Sequence, residues 1–262
     1  MNKVEQSEKG TIQEADYFFP YHWIQYDCDE SNKIYDLYRG RFLYTSYVNE
    51  VVKSCMKIAP KSVLDIGCGD GKVLDVIYNA YNKDIKNKPY LCGCDISIKA
   101  LQFAKAFNTE IDWIQGEFKN IDQKFDLIIC MEVLEHIPDG EIENFINDIN
   151  QKLNEEGHLI ITVPTICAPV APKHYRHYDL ELIKKQFKEC NDLNITDVTY
   201  IGKNTRIYRK YRELFCTSRF FLRSRFLEKL FWNYYRKFCL YGNNSKQYLD
   251  MVIEFKKVAK GK

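Results

Sequence analysis

Short apolar runs alternate with longer helical patterns along most of the chain. Seven runs bounded by turn residues predict strands at 62–66, 90–95, 111–115, 125–131, 158–163, 195–201 and 248–257. Helical spacing of apolar residues predicts a helix within 35–56 and further helices at 71–82, 97–107 and 140–153. Strands that alternate with helices predict an α/β fold, in which a mostly parallel sheet is covered on both faces.

Composition narrows the class of protein. With 45% hydrophobic residues the chain has enough apolar material for a full core, and its net charge of +2 argues against a generally basic nucleic-acid binder. No run approaches the roughly 20 apolar residues of a membrane span, and the polar start lacks a secretory signal. The ten cysteines stand singly without a CxxC pair, which predicts reduced thiols in a cytoplasmic protein and no structural zinc.

A glycine-rich turn follows the first predicted strand, in the segment VLDIGCGDG at 63–71. Its G-x-G-x-G spacing differs from the G-x-G-x-x-G that places a pyrophosphate on a helix N-terminus. Glycine lets the backbone pass close under a ligand, and Asp65 inside the strand is a better neighbour for a cation than for a phosphate. The turn therefore predicts a site for a cationic ligand, with an ordinary strand-to-helix turn as the alternative.

The next two predicted strands also end in acidic residues. Asp95 can accept both ribose hydroxyls of a nucleoside that lies across the strand ends. Glu117 and Phe118 suit the amino group and the ring of adenine. Each acid alone is explained by a helix N-cap, but three at successive strand ends predict a nucleoside ligand.

These segments, with FDLIICMEVLEHIPD at 125–139, resemble the class I S-adenosylmethionine-dependent methyltransferases over roughly 60–165. The resemblance implies a Rossmann-like, doubly wound sheet of seven strands with the last one antiparallel, and S-adenosylmethionine as cofactor. It implies that Asp65 faces the methionine amino group or anchors the loop. The other implied cofactor contacts follow the methionine, ribose and adenine in turn, at Gly67, Cys68, Gly69, Asp95, Ile96, Glu117, Phe118 and the backbone of Met131.

The chain is predicted to form one methyltransferase domain in four parts. An N-terminal lid and helix (1–59) precedes the cofactor-binding core (60–202). A basic aromatic helical insert (203–247) then separates the core from the last strand and tail (248–262).

Two acids and a histidine follow the fourth predicted strand as Glu132, Glu135 and His136. The E-x-x-E-H pattern resembles ubiquinone-pathway O-methyltransferases and small-RNA terminal 2′-O-methyltransferases, in which these positions bind a divalent cation. Two carboxylates and an imidazole suit Mg²⁺ or Mn²⁺, and His174 in the loop 164–179 is a candidate fourth ligand. The alternative is that Glu135 and His136 cap a helix and orient the substrate.

A hydroxyl acceptor has to lose its proton near neutral pH, and histidine is the natural base. His136 or His177 is predicted to be this base, with the metal able to share the task. An amine acceptor needs less help, so the cluster favours O-methylation over N-methylation. The predicted substrate contacts are Tyr21, His22, Tyr175 and Arg176.

A cationic, aromatic segment occupies 203–239, with eleven basic residues against two acids. The rest of the chain is correspondingly acidic, at a net −7. The segment suits a helix pair packed on the domain with a solvated basic face, a surface for a phosphorylated acceptor or an anionic membrane, or an RNA-binding flank.

The sequence thus predicts a cytoplasmic O-methyltransferase, working near the inner face of the membrane, for a hydroxyl of a small molecule. The predicted acceptor is a sugar or nucleotide-linked sugar of surface-glycan synthesis, as in capsule or lipopolysaccharide pathways. The alternatives are an RNA ribose 2′-hydroxyl, a quinone or catechol, and a non-catalytic cofactor-binding subunit.

Overall fold

The computed structural model describes residues 42–81, 88–215 and 225–259, and the single residues Thr11, Glu14, Tyr17, Pro20 and His22. Tyr21 and the start of the helix predicted within 35–56 lie outside the described residues. The helices are α1 Phe42–Ile58, α2 Lys72–Tyr81, α3 Ile98–Phe107, α4 Ile142–Lys152, α5 Leu180–Gln186, α6 Arg206–Phe215 and α7 Arg225–Phe238. The strands are β1 Ser62–Ile66, β2 Tyr90–Asp95, β3 Asp112–Gln115, β4 Phe125–Met131, β5 Leu153–Pro164, β6 Leu193–Lys203, β7 Tyr241–Gly242 and β8 Tyr248–Lys257.

The strands form one sheet in the order β3-β2-β1-β4-β5-β8-β6-β7. The strands from β3 to β5 are parallel, and β8 runs antiparallel between β5 and β6. The predicted α/β sheet and its antiparallel last strand are confirmed. One more strand is present than the predicted seven, because two residues of β7 pair with Tyr200 and Ile201.

Alternate residues of the central strands point to opposite faces of the sheet, as strand geometry requires. Leu64 and Ile128 belong to a cluster that α4 and α5 cover. Val63 and Leu127 belong to a second cluster beneath α1 and α2. Burial on both faces explains why these strands are nearly continuous apolar runs in the sequence.

The segment 203–239 contains α6 and α7, which pack on the start of α1 through an aromatic layer. The Phe42 ring is fully buried there and stacks on Tyr211, with ring centroids 5.1 Å apart. Trp232 and Tyr235 of α7 complete the layer, within 5.5 Å of the same ring. The helix pair packed on the domain is therefore the arrangement that the described part of the segment adopts.

Apart from β7 and from shifts of one or two residues at the ends of elements, two elements differ from the sequence prediction. Helix α5 was not predicted, since it is only seven residues long; it is capped by Asp179, which accepts from the Leu182 N–H at 2.9 Å. Strand β5 starts at Leu153 rather than 158, and the prediction missed this start because residues 154–156 are polar and partly or fully exposed.

Among the described helices, none combines the length and the apolar character that crossing a membrane requires.

Candidate active site

The carboxyl ends of β1, β2 and β4 meet at one edge of the sheet, and the glycine turn crosses it. The N–H groups of Gly67 and Cys68 both donate to the Cys94 carbonyl, at 2.8 and 3.1 Å, which fixes the turn against β2. Gly67 and Gly69 have φ of +70° and +56°, a region that costs other residues about 1–2 kcal/mol. A Cβ on Gly67 would lie 2.5 Å from Cγ2 of Val133. The loop after β4 can pack this closely against the turn only because residue 67 has no side chain.

Two adjoining cavities open at this edge. The acidic cavity, about 310 Å³, lies along the glycine turn and against Glu135 and His174. The Asp95 cavity, about 400 Å³, lies beyond the turn and includes the exposed Ile96 and Tyr175. Gly67 and His136 line both, and each volume falls in the range of small-molecule sites. Together they offer a continuous path from the end of β2 to the E-x-x-E-H segment.

Asp95 is held rigidly between backbone donors. One carboxylate oxygen accepts from the Gly69 N–H and the other from the Ser97 N–H, each at 2.8 Å. Burial raises the pKa of Asp95, and these two bonds oppose the rise. The carboxylate thus stands at the mouth of the Asp95 cavity, where the sequence predicted a ribose contact.

Asp65 lies under the glycine turn and lines the acidic cavity, although its side chain is only 2% exposed. Burial, with the nearby Asp95 as a second cause, raises the pKa of Asp65 well above its ordinary value. A carboxyl buried in this way is costly unless a cation or donor faces it.

Of the remaining predicted cofactor residues, two line a cavity and two do not. Cys68 and Met131 line the acidic cavity. Glu117 and Phe118 line neither cavity: Glu117 is exposed with an ion pair to Lys119 at 2.5 Å, and the buried Phe118 ring packs edge-on against Phe145. The geometry therefore gives no support to their predicted adenine contacts.

Glu132 takes a left-handed backbone conformation, with φ of +54°, directly after β4. Its carboxylate accepts from the Thr162 hydroxyl at 2.9 Å and shares a hydrogen bond with Asp250 of β8. Burial raises the pKa of Glu132 to about 7, and that of Asp250 well above its usual range. A non-glycine residue held in this conformation at a cavity wall is a frequent feature of functional sites.

Glu135, His136 and His174 come together at the wall of the acidic cavity, each with one ligand atom within 4.8 Å of the others. Glu135 is fully buried, and no other described residue donates a hydrogen bond to its carboxylate oxygens. Nε2 of His136 lies 3.9 Å from Glu135 Oε1. Of the four predicted metal ligands, the structure gathers these three, whereas Glu132 is turned toward Thr162 and Asp250.

Backbone carbonyls set the tautomers of His136 and His177, because a carbonyl oxygen can only accept a hydrogen bond. His177 in turn sets the tautomer of His174. His136 Nδ1 donates to the Lys173 carbonyl at 3.2 Å, which leaves a lone pair on Nε2 when the ring is neutral. His177 Nδ1 donates to the Ala168 carbonyl at 3.0 Å, so its Nε2 accepts from His174 Nδ1 at 2.9 Å. Neutral His174 then also carries its lone pair on Nε2.

This chain of bonds changes the role of His177. The side chain is 8% exposed, lines neither cavity and uses both ring nitrogens within the protein. His177 is thus placed to orient His174, and its predicted role as the base has no support in this geometry. Outer partners of this kind fix the ring orientation of metal-binding histidines.

Arg176 also has a structural task instead of the predicted substrate contact. Its guanidinium donates to the carbonyls of Leu134 and Ile137 at 2.9 and 2.6 Å, and pairs with Asp139. It thereby fixes the loop that carries Glu135. Tyr175 does line the Asp95 cavity, and its N–H donates to the Glu135 carbonyl at 2.7 Å.

The N-terminal segment reaches the glycine turn. His22 donates its backbone N–H to the Asp70 carboxylate at 3.1 Å, and its ring Nδ1 lies 2.8 Å from the other oxygen. Tyr17 is buried against Gly69 and lines both cavities. His22 therefore borders the acidic cavity, and its substrate contact stays a prediction. Tyr17, Asp70 and Asp250 were not predicted.

Replacing Asp65 with asparagine is expected to weaken binding of the cofactor about tenfold while stabilising the cofactor-free protein. Because the folded-state pKa of Asp65 is raised, the wild-type protein loses stability as the pH rises from 3.8 toward that pKa. The variant lacks this loss, so the difference in unfolding free energy grows with pH. Denaturant unfolding at pH 5 and 8, with calorimetric titration of the cofactor, measures both effects. If the variant and the wild type had equal unfolding free energies at pH 5 and at pH 8, the expectation would be contradicted.

The sequence of the chain was compared with protein families, curated proteins and solved structures. The model of the family described as "Methyltransferase domain" matches residues 39–234. A ubiquinone biosynthesis O-methyltransferase of Pasteurella multocida is 35% identical over 175 residues, covering 54% of this chain and 68% of that protein. The mitochondrial ubiquinone biosynthesis O-methyltransferase of Schizosaccharomyces pombe is 24% identical over 161 residues, covering 58% and 55%. The chain spans about half the length of several such relatives.

Among solved structures, the magnesium protoporphyrin IX methyltransferase ChlM of Synechocystis PCC 6803 with bound S-adenosylmethionine aligns with a TM-score of 0.57. The alignment covers 95% of this chain and 96% of that one at 16% identity, which shows a shared fold. The predicted surface-glycan acceptor finds no support, because the curated relatives are named for ubiquinone biosynthesis. The glycine turn, the sheet order and the family match lead to one conclusion: the chain belongs to the methyltransferase domain family, the class I S-adenosylmethionine-dependent methyltransferases.

Proposed function

We propose that this protein transfers a methyl group from S-adenosylmethionine to a phenolic or catechol hydroxyl of a quinone precursor, with Mg²⁺ or Mn²⁺ held by Glu135, His136 and His174. The observation that carries the proposal is the convergence of these three side chains on a cavity continuous with the glycine turn. The acceptor class is supported by the curated relatives, which are named as ubiquinone biosynthesis O-methyltransferases.

The chemistry of the three side chains fits a divalent cation. Glu135 is a fully buried carboxyl group that no other described residue hydrogen-bonds, and its pKa stays raised despite the nearby Lys173 and Arg176, so a further positive charge would stabilise its ionised form. The tautomers of His136 and His174 place lone pairs on Nε2, the form in which imidazole binds metals. One carboxylate with two imidazoles also suits Zn²⁺ or Fe²⁺, so the choice of Mg²⁺ or Mn²⁺ rests on the E-x-x-E-H resemblance and not on this ligand set.

The protein's own residues supply positioning. Asp95 would hold the ribose of the cofactor, and Gly67–Gly69 would line its methionine part. Asp65 lines the same cavity as the turn and would face the cationic part. An in-line displacement of this kind depends mainly on the distance and angle between the methyl group and the hydroxyl oxygen.

The acceptor hydroxyl must lose its proton as the new O–CH₃ bond forms. A bound divalent cation supplies a positive charge that orients a catechol and lowers the pKa of its hydroxyl. His136 Nε2 lies 3.9 Å from Glu135 Oε1, and the ring lines both cavities, which places this nitrogen to bind the cation. Without the cation, the same lone pair would accept the proton of the hydroxyl.

A substrate panel with and without metal tests the proposal. The protein is dialysed against EDTA, shown to be metal-free, and assayed with S-adenosylmethionine and a catechol, a nucleotide-linked sugar or an RNA oligonucleotide. We expect methylation of the catechol, a fall of at least about tenfold on metal removal, and recovery with Mg²⁺ or Mn²⁺. Unchanged turnover in the metal-free protein would reject the cation, and methylation of only the sugar or the RNA would reject the acceptor class. Calorimetric titration with Mn²⁺ gives an independent readout of the site.

A further inference from the structure

Helices α6 and α7 present cations and large apolar side chains together on their outer surface. We call this surface the insert face and define it by its exposed residues Arg206, Ile207, Arg209, Lys210, Arg212, Phe226, Lys229, Leu230, Arg236, Lys237 and Phe238. Glu213 is the exposed acid of this helix pair among the described side chains. The insert face is therefore strongly cationic.

Two apolar members of this surface, Phe226 and Leu230 of α7, stand opposite the buried layer. In α7, Trp232 and Tyr235 are buried, whereas Phe226 and Leu230 are 76% and 54% exposed. Residues four apart share one side of a helix, so Phe226 and Leu230 form a single apolar strip that points away from the core. Single exposed apolar residues are ordinary, but a strip of this kind bordered by lysine and arginine is typical of a helix that lies in a membrane interface.

The topology places the insert face beside the active site. Strand β6 runs parallel to β5 and ends at Lys203, where the segment leading to α6 begins, and β8 returns from the same edge at Tyr248. The cavities open at this carboxyl edge too. A surface bound by the insert face would therefore lie near the mouth of the site.

We propose that the insert face binds anionic membrane lipid, with Phe226 and Leu230 entering the acyl boundary and the surrounding cations facing the head groups. Charge complementarity supports this partner, because the inner leaflet carries anionic lipid and attracts clusters of lysine and arginine. Two copies of this chain that met insert face to insert face would repel each other. RNA would use the cations and leave the aliphatic Ile207 and Leu230 without a role. The proposal does not depend on the identity of the methyl acceptor.

Co-sedimentation of the full chain with vesicles tests the insert face. We expect binding to phosphatidylcholine vesicles that contain phosphatidylglycerol, and weak binding to phosphatidylcholine alone. The double variant Phe226→Ser/Leu230→Ser and the charge variant Lys210→Glu/Lys237→Glu are each expected to weaken binding at least about tenfold. Matched controls change exposed residues remote from this face: Met56→Ser/Val258→Ser for apolar loss, and Lys105→Glu/Lys188→Glu for charge.

The outcomes are distinguishable. Circular dichroism and affinity for the cofactor product show whether each variant keeps its fold, since the substituted residues line neither cavity. Loss of binding in the insert variants with binding kept in the controls supports the proposal. Equal loss in the controls, or binding that the loss of Phe226 and Leu230 does not change, overturns the apolar contact. Binding of an RNA oligonucleotide without vesicle binding assigns the face to nucleic acid and rejects the proposal.

Discussion

Replacing Glu135 with glutamine is expected to lower the rate of methyl transfer at least about a hundredfold while leaving affinity for S-adenosylmethionine within a factor of about three. The substitution keeps the size of the side chain and removes the negative charge. Glu135 faces His136 and His174 in the acidic cavity, whereas the residues proposed to hold the cofactor, the glycine turn and Asp95, belong to separate loops. Single-turnover kinetics and calorimetric titration of the cofactor separate the two quantities.

The same variant distinguishes a functional carboxylate from a structural one. Burial raises the pKa of Glu135 well above its usual range, and the neighbouring Glu132 adds to the rise. A neutral amide therefore relieves an unfavourable burial in the metal-free protein, and we expect no loss of unfolding free energy. Glu143→Gln, at an exposed position of α4, is the matched control and should leave turnover unchanged. Full activity in Glu135→Gln would remove this residue from the catalytic site.

Replacing Gly67 with alanine is expected to weaken cofactor binding by about a hundredfold. The backbone φ of +70° disfavours any side chain by about 1–2 kcal/mol, and the new Cβ would stand 2.5 Å from Val133 Cγ2. Relieving that contact by displacing the turn or the Val133 loop adds about 1–3 kcal/mol. Because the turn is bonded to the Cys94 carbonyl, its displacement also disturbs the end of β2.

Gly140→Ala is the control for this effect. Gly140 lies on the same side of the domain, outside the positive-φ group, and a Cβ there meets no atom within 4 Å. Titration with the cofactor product and thermal unfolding of both variants check the expectation. If Gly67→Ala bound the cofactor like the wild type, the turn would not be the cofactor cradle.

Local patterns explain why the core sheet and the glycine turn were predictable from the sequence. Strand β1, the turn and Asp95 are set by short apolar runs and by the residues that follow them directly. The E-x-x-E-H segment follows β4 in the same way. In each case the side chains that meet at the sheet edge occupy equivalent positions at the ends of parallel strands, so that topology brings them together.

The site residues and roles that the sequence did not predict depend on contacts between segments that are far apart in the chain. Asp250 reaches Glu132 only because β8 inserts between β5 and β6, although an acid inside the apolar run of β8 was a visible signal of a buried carboxylate. Tyr17 meets Gly69 across more than fifty positions of the chain. The role of His177 depends on the Ala168 carbonyl, which no pattern of side chains reveals.

The Ala168 contact has a further consequence for how this domain can be divided. Cys167 and Ala168 pack against the aromatic layer of the insert, and the carbonyl of Ala168 holds the ring that in turn holds His174. The packing of the two helices on Cys167 and Ala168 therefore contributes to the alignment of the His174 imidazole. An insert grafted from another methyltransferase would pack differently on Ala168 and so change the orientation of the His177 ring. The insert can therefore be exchanged only together with the loop from Thr165 to Tyr178.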